Sequence, residues 1–202
     1  MPARGVDELS EILLRTDCVR FGTFKLSSGA LSSYYVDLRL IPSHPEALKR
    51  VIGFYSSLLK GPLLKRTVRF AGIPTAGIPY AAVLAFNLRK PFLYVRKEPK
   101  AHGHQRRVEG FLSPGDKILV LDDVITTGMN VIDAIQALRA EGGVVQDAVV
   151  LLDRQQGGAA NLKKTDVRLH TYTTITEVVS SMLKHGTIEK PQYREILTQV
   201  TD

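Results

Sequence analysis

Apolar residues along most of the chain form short continuous runs, which are separated by segments with helical spacing. The runs predict strands at 68–74, 91–96, 117–123, 144–154 and 167–175. The other segments predict helices at 77–88, 126–143, 175–186 and 191–200. Strands that alternate with helices imply crossover connections. The predicted fold class is therefore α/β, with a central mostly parallel sheet flanked by helices.

The beginning of the chain follows a different pattern. A short amphipathic helix is predicted first, and two segments rich in β-type residues follow at 21–29 and 32–40, separated by a Ser/Gly turn. A second helix is predicted from about 43 to 59, because a capping residue precedes a proline and an acid there. Gly61 and Pro62 are expected to stop this helix.

The composition fits one domain, because 202 residues with 44% hydrophobic content can bury a sizeable core. We expect residues 1–65 to form a small N-terminal hood with helices, and 66–202 to form the core of the same domain. The single cysteine, Cys18, excludes an internal disulfide and a zinc site built on several cysteines. The start of the chain does not resemble a secretory leader, and the longest apolar run is too short to cross a bilayer. A cytoplasmic protein without membrane association is therefore expected.

Positive charge is concentrated in one segment. The net charge is +7, and residues 96–107 hold five Lys or Arg residues against one acid. Such a segment indicates an anionic partner, which could be nucleic acid, phosphate or an acidic small molecule. No Phe, Tyr or Trp lies within 96–110, so base stacking is not supported there and no nucleic-acid partner is expected.

The most informative stretch is 118–128, where a buried strand ends in two acids and a short loop opens a helix. Ligands bind at this edge of open α/β sheets. The loop and helix N-terminus suit a phosphate monoester, and Asp122 and Asp123 suit sugar hydroxyls or Mg²⁺ with its waters. Together they describe a ribose 5-phosphate site. The alternative is a strand that ends in solvated acids followed by a capping threonine.

Residues 118–128 also resemble the signature with which type I phosphoribosyltransferases bind 5-phosphoribosyl pyrophosphate (PRPP). Further segments resemble orotate phosphoribosyltransferases in the order of that family, at 21–29, 32–39, 71–81, 95–110 and 149–158. The resemblance implies a type I phosphoribosyltransferase fold. It also implies transfer of the phosphoribosyl group from PRPP to orotate, which gives orotidine 5′-monophosphate and pyrophosphate in pyrimidine synthesis.

The resemblance implies roles for the residues that bind PRPP. Asp122 and Asp123 would hold the ribose, oppose positive charge on the sugar in the transition state and contact Mg²⁺ indirectly. The basic segment would close over PRPP as a catalytic loop. It would bind through Arg96, Lys97, Lys100 and His102, of which Lys100 and His102 are also catalytic candidates. The 5′-phosphate would bind to Val124, Ile125, Thr126, Thr127, Gly128, Met129 and Asn130.

The resemblance also implies where pyrophosphate and the base bind. The pyrophosphate would lie on the turn of Thr75, Ala76 and Gly77. Orotate would contact Ser27, Thr126 and Arg154, since a guanidinium suits its carboxylate. Two residues depart from the family pattern. Ala76 stands where many bacterial relatives carry lysine, and Ser27 replaces another lysine, so no lysine role is expected at either position.

The family further implies a homodimer with shared active sites, in which the basic loop of one chain reaches its neighbour's site. Two other functions stay open at this point. A phosphoribosyltransferase for another base would keep the PRPP loop without needing Arg154. A PRPP-sensing regulator would keep the fold, bind nucleic acid and need no loop that stabilises a leaving pyrophosphate.

Overall fold

The computed structural model describes residues 3–25, 31–98 and 106–201. Its strands are β1 (Val19–Lys25), β2 (Leu31–Val36), β3 (Arg69–Gly72), β4 (Phe92–Val95), β5 (Val108–Glu109), β6 (Lys117–Ile125), β7 (Val144–Asp153) and β8 (Arg168–Thr174). Its helices are α1 (Ala3–Arg15), α2 (Pro45–Leu58), α3 (Gly61–Arg66), α4 (Gly77–Asn87), α5 (Met129–Ala140), α6 (Gly158–Lys163), α7 (Ile175–Lys184) and α8 (Lys190–Leu197). A short 3₁₀ helix, Leu38–Ser43, lies between β2 and α2.

The central sheet has six strands in the order β5-β4-β3-β6-β7-β8. Neighbouring strands are parallel except β4 and β5, which are antiparallel. The predicted α/β class with a mostly parallel sheet is therefore confirmed. The chain leaves β3 toward one edge of the sheet and leaves β6 toward the other. Ligands of open α/β sheets bind at such a switch point, outside the carboxyl ends of the strands.

Side chains of the strands alternate between two hydrophobic layers, one on each face of the sheet. In β6, Leu119 and Leu121 lie in one layer, whereas Ile118 and Val120 lie in the other. The first layer also holds buried residues of α1, α2, α4, α7 and α8, and the second holds residues of α5 and α6. Continuous apolar strands are therefore needed, because both faces are covered.

The elements of the first 65 residues pack on the larger of these layers. The two predicted β-type segments correspond to β1 and β2, which form an antiparallel pair. Helix α2 begins at Pro45 and ends at Leu58, within two residues of the predicted bounds, but no side chain caps its first turn. Gly61 and Pro62 do more than stop it, because they begin α3. A proline in the first turn of a helix lacks only an N–H that would have no partner there. The boundary near residue 65 stays a prediction.

The strand and helix pattern of the core is confirmed, with two additions that are too short for a periodic signal. Strand β5 has only two residues, and α6 has six. No helix within the described ranges is long and apolar enough to cross a membrane. Cys18 is buried, and burial raises the pKa of its thiol, which agrees with a packing role.

Candidate active site

Strand β6 carries the two acids to the switch point of the sheet. The sequence predicts that this strand ends at Asp123, but it continues to Ile125 because its last residues still pair with β7, where Ile125 lies opposite Asp153. The loop then turns at Gly128, whose φ of 78° lies in the left-handed region, and α5 begins at Met129. The free N–H groups of α5 therefore lie just beyond the end of β6, where they suit a phosphate.

Helix α6 supports this loop from behind. The side-chain amide of Asn161 donates a hydrogen bond to the Thr127 carbonyl oxygen at 3.0 Å. A Cβ atom at Gly128 would lie 2.7 Å from Leu162 Cδ1, which is closer than side chains approach each other. The absence of a side chain at Gly128 therefore allows the loop to pack directly on α6.

The two acids at the end of β6 have little contact with water. Asp122 is buried and Asp123 is half-buried. Burial raises the pKa of Asp122 well above its usual range, and the charge of Asp123 adds to this effect. Burial also raises the pKa of Asp123. A ligand that brings positive charge or hydroxyl donors would favour the charged forms of both acids.

Neighbouring groups fix the backbone at these acids. The Asp123 N–H donates to Asp122 Oδ1 at 3.0 Å. The hydroxyl of Tyr55, a fully buried residue of α2, donates to the Asp122 main-chain oxygen at 2.7 Å. Helix α2 therefore reaches the site from the first part of the chain and holds the end of β6 in place.

The turn between β3 and α4 lies directly against the acids. The Ile73 N–H donates to the Leu121 carbonyl oxygen at 3.0 Å. A Cβ atom at Gly77 would lie 2.4 Å from that same oxygen and 3.0 Å from Asp122 Oδ1. Thr75, in the middle of the turn, is exposed. The predicted pyrophosphate turn and the predicted ribose acids thus form one continuous surface.

Two cavities meet at the start of α5. The first, of about 310 Å³, is lined by Asp122, Val124, Ile125, Thr126, Thr127, Gly128, Met129, Asn130, Val131, Arg154 and Gln156. The second, of about 250 Å³, is lined by Ile73, Pro74, Val95, Lys97, Arg107, Asn130, Asp133 and Ala134. Asn130 lines both. The fold therefore brings the predicted phosphate loop, Arg154, Lys97 and the residues just before the predicted pyrophosphate turn to adjoining spaces.

A larger cavity, of about 670 Å³, lies away from these residues. Asp147 is among its lining residues. Two nitrogens of Arg66 donate to the Asp147 carboxylate, and His170 Nε2 lies 2.7 Å from Asp147 Oδ1. Asp147 pairs with the first residue of β8, so this cavity lies toward the amino ends of the parallel strands. Asp147 is thus already paired, and we do not assign this cavity to the site.

Arg154 comes directly after β7, and its side chain is buried. Its Nε donates to the Tyr34 hydroxyl at 3.0 Å, and its guanidinium carbon lies 4.5 Å from the centre of the Tyr34 ring. Its Nη2 lies 3.5 Å from Ser32 Oγ. Burial raises the pKa of Tyr34, so this partner stays neutral. A buried cation is normally balanced by an acid. The partners named here are uncharged, which leaves the guanidinium suited to an anionic ligand.

Comparison with known proteins identifies the family. The model of the phosphoribosyl transferase domain matches residues 41–183. The orotate phosphoribosyltransferase of Pyrobaculum islandicum is 40% identical over 188 residues, which cover 93% of this chain and 95% of that protein. The chain belongs to the orotate phosphoribosyltransferases.

Solved structures of similar proteins support the same family. The orotate phosphoribosyltransferase of Aeropyrum pernix is 35% identical, with a TM-score of 0.79 over 90% of this chain and 99% of that one. The UMP synthase of Leishmania donovani is 31% identical, with a TM-score of 0.85 over 95% of this chain and 41% of that one. The type I phosphoribosyltransferase fold expected from the sequence is therefore confirmed.

In this family the basic segment is expected to act on PRPP, and the structure shows the stem from which it leaves the sheet. The Arg96 N–H donates to the Arg107 carbonyl oxygen at 2.7 Å, which extends the β4–β5 pair. The Arg107 guanidinium forms an ion pair with Asp133 of α5, and Arg96 lies 3.5 Å from Glu109. Lys97 lines the second cavity, whereas the candidates Lys100 and His102, and Ser27 of the base site, fall outside the described residues.

Several residues of this phosphoribosyltransferase site were not predicted from the sequence. Ser32 and Tyr34 touch Arg154, and the period of two along β2 could have placed them on one inward face. Gln156 lines the first cavity beside Arg154. Tyr55 and Asn161 support the acids and the loop from distant helices. No local pattern marks either of them.

Proposed function

We propose that this chain transfers the 5-phosphoribosyl group from PRPP to orotate and releases pyrophosphate, as a step of pyrimidine nucleotide synthesis. The observation that carries the choice of base is the buried guanidinium of Arg154, whose hydrogen-bond partners Tyr34 and Ser32 are uncharged. Orotate has a carboxylate, which a guanidinium binds in planar geometry. We place the reaction in the cytoplasm, since the lone thiol, Cys18, is a packed residue that needs no oxidising compartment.

The acids of β6 would act on the ribose. Their oxygens accept hydrogen bonds from vicinal hydroxyls, and they lie beside the loop that suits the 5′-phosphate. As pyrophosphate leaves, positive charge develops on the sugar. Asp122 and Asp123 are poorly solvated, so their negative charge stabilises this transition state more than it would in water. Thr126, which lines the same cavity, would lie between ribose and base.

The leaving pyrophosphate would bind where the two cavities meet. Lys97 lines the second cavity and adds a positive charge, and Thr75, Ala76 and Gly77 would offer backbone N–H groups from the turn that follows the lining residues Ile73 and Pro74. Ala76 brings no charged contact of its own. Arg96, Lys100 and His102 would complete the neutralisation of pyrophosphate when the basic loop closes, and closure excludes the water that would hydrolyse PRPP.

Mg²⁺ is the cofactor that we propose. Within the described ranges, no group of three His, Cys, Asp or Glu residues could hold a metal. Mg²⁺ fits this site nonetheless, because it is often bound through one or two carboxylates together with substrate oxygens and waters. Asp122 and Asp123 would then act on the ion indirectly, through its waters or the ribose hydroxyls. When bound, the ion would neutralise charge on the pyrophosphate.

We also propose a homodimer in which the basic loop acts in the neighbouring chain's site. Mixing a Lys100→Ala chain with an Asp123→Ala chain tests this. If sites are shared, each mixed dimer has one site with both residues intact, and activity returns. If verified subunit exchange restores no activity, the shared site is refuted.

The reaction itself is tested with purified protein, PRPP and Mg²⁺. Loss of orotate absorbance is followed, with uracil, hypoxanthine and adenine as parallel substrates. We expect orotate consumption that requires both PRPP and Mg²⁺. Arg154→Met should raise the KM for orotate by roughly 10- to 150-fold, since a charge-assisted pair contributes roughly 1.5–3 kcal/mol.

Arg168→Met is the matched control, because Arg168 is an exposed residue at the opposite end of the sheet. Its kinetic constants should equal those of the unchanged protein. Turnover of another base without orotate consumption would contradict the proposed substrate. An Arg154→Met variant with an unchanged KM for orotate would contradict the role of Arg154.

A further inference from the structure

The segment that follows α8 returns to the base side of the site. The Gln199 side chain contacts two neighbouring hydroxyls of β2: Ser32 Oγ lies 2.8 Å from its Oε1, and its Nε2 donates to Ser33 Oγ at 2.8 Å. The Gln199 carbonyl oxygen accepts from Gln156 Nε2 at 3.3 Å. Two residues on, the Thr201 N–H donates to the Gln155 carbonyl oxygen at 2.8 Å. This segment therefore ties β2 to the loop that follows β7.

Gln199 joins the strand that contacts Arg154 to the loop that begins with Arg154. Strand β2 carries Tyr34 and Ser32, which are the neighbours of the Arg154 guanidinium, and Gln156 comes two residues after Arg154. The hydroxyl of Ser32 has one hydrogen but lies near two acceptors, the Tyr34 carbonyl oxygen at 2.7 Å and Gln199 Oε1. Gln199 thus competes directly for the hydrogen of a group that faces the guanidinium.

We infer that Gln199 is a positioning residue for recognition of the orotate carboxylate. An arginine side chain has many rotamers, and it recognises a carboxylate well only when its plane is held in one orientation. Arg154 is held by Tyr34 and Ser32, and Gln199 fixes the hydroxyl of Ser32 and the distance between β2 and the loop after β7. This inference rests on the proposed function, because it assigns the carboxylate to Arg154.

The test compares Gln199→Ala with Gln192→Ala in steady-state kinetics. Gln192 is the matched control, because it lies in α8 and its exposed side chain accepts from the Glu189 N–H in a capping box without touching β2. Gln199→Ala should raise the KM for orotate about five- to tenfold, the effect of one or two lost hydrogen bonds, and leave the KM for PRPP unchanged. Gln192→Ala should change neither KM.

A second readout isolates the carboxylate. Uracil lacks that group, so the preference of the site for orotate over uracil as a competing ligand should fall in Gln199→Ala by the same factor as the KM rises. If Gln199→Ala does not fold, Ser33→Ala removes only one of the two side-chain contacts and should give a smaller rise in the same KM.

The outcomes separate this inference from the proposed function. If the unchanged protein does not consume orotate, the proposed function fails. If it consumes orotate and Gln199→Ala shows an unchanged KM for orotate, the positioning role is refuted. An equal rise in both KM values, or the same rise in Gln192→Ala, would show a general structural effect and would also refute it.

Discussion

A single methyl group at Gly77 should damage the site more than the fold. The Cβ atom of an alanine there would lie 2.4 Å from the Leu121 carbonyl oxygen, whereas ordinary contacts begin at 3.4 Å. The contact is therefore 1.0 Å too short. The Cβ atom is fixed to the Gly77 backbone and the oxygen belongs to the Leu121 backbone, so neither can rotate away. Either the turn before α4 or the end of β6 must move by about that distance. A shift of this size in groups that position a substrate lowers the rate by about 100-fold.

The protein should nonetheless remain folded. Overpacking a filled interior destabilises a protein by roughly 1–3 kcal/mol. Gly53→Ala is the matched control, because Gly53 lies within α2 and a Cβ atom there would meet nothing within 4 Å. In that position alanine should stabilise the helix by roughly 0.5–1 kcal/mol. The glycine-to-alanine change should thus lower the free energy of unfolding at Gly77 and raise it at Gly53.

Two measurements check this reasoning. Urea denaturation gives the free energy of unfolding of both variants, and orotate consumption at varied PRPP gives kcat/KM. We expect Gly77→Ala to lose about 100-fold in kcat/KM for PRPP while it remains folded. Gly53→Ala should keep the kcat/KM of the unchanged protein. A Gly77→Ala variant with unchanged kinetics would refute the contact between turn and acid as a feature of the active site.

Two further predictions concern single hydrogen-bonding groups. Tyr55→Phe should lower the free energy of unfolding in urea by about 1–3 kcal/mol, because it leaves the Asp122 carbonyl oxygen without its buried donor; an unchanged midpoint would contradict this. Hydrogen bonds from the Ser181 hydroxyl and, to a smaller extent, from Lys184 lower the pKa of Asp7 from 3.8 to about 2. The negative charge of Asp7 therefore stabilises the fold above pH 3.8, and this contribution is lost as the pH falls toward 2. Asp7→Asn should therefore lower the Tm at neutral pH, and the difference in Tm from the unchanged protein should narrow between pH 3.8 and 2. A difference in Tm that does not depend on pH would contradict this prediction.

The core of the fold was predictable because its signals are local. The central strands β6 and β7 contain continuous apolar runs, and the two acids near the end of β6 mark the edge where ligands bind. Sequence reasoning ended β6 at Asp123, two residues early, because the two acids interrupt its apolar pattern. Pairing with β7 nevertheless continues the strand to Ile125. Strand β5 and helix α6 were not predicted, because two and six residues are too few to show a periodic pattern of apolar positions.

The candidate site was predictable where residues follow one another in the chain, and not where the fold joins distant segments. The residues from Val124 to Asn130 line one cavity together, as their succession in the sequence implies. Gln199 and Ser32 are separated by 167 positions, and Tyr55 and Asp122 by 67. These pairs depend on how α2 and α8 pack on the sheet, which no short pattern encodes.

The docking of α1 has a consequence for how this chain is made. Leu9 and Leu13 are fully buried in the layer that α7 shares, and Asp7 accepts from the Ser181 hydroxyl at 2.6 Å across 174 positions of chain. At synthesis rates of about 5–20 residues per second, α1 waits roughly 10–35 s for its partner helix. During that time the part of its apolar face that α7 covers has no native partner. We therefore expect the nascent chain to expose this apolar surface to chaperones until α7 has left the ribosome.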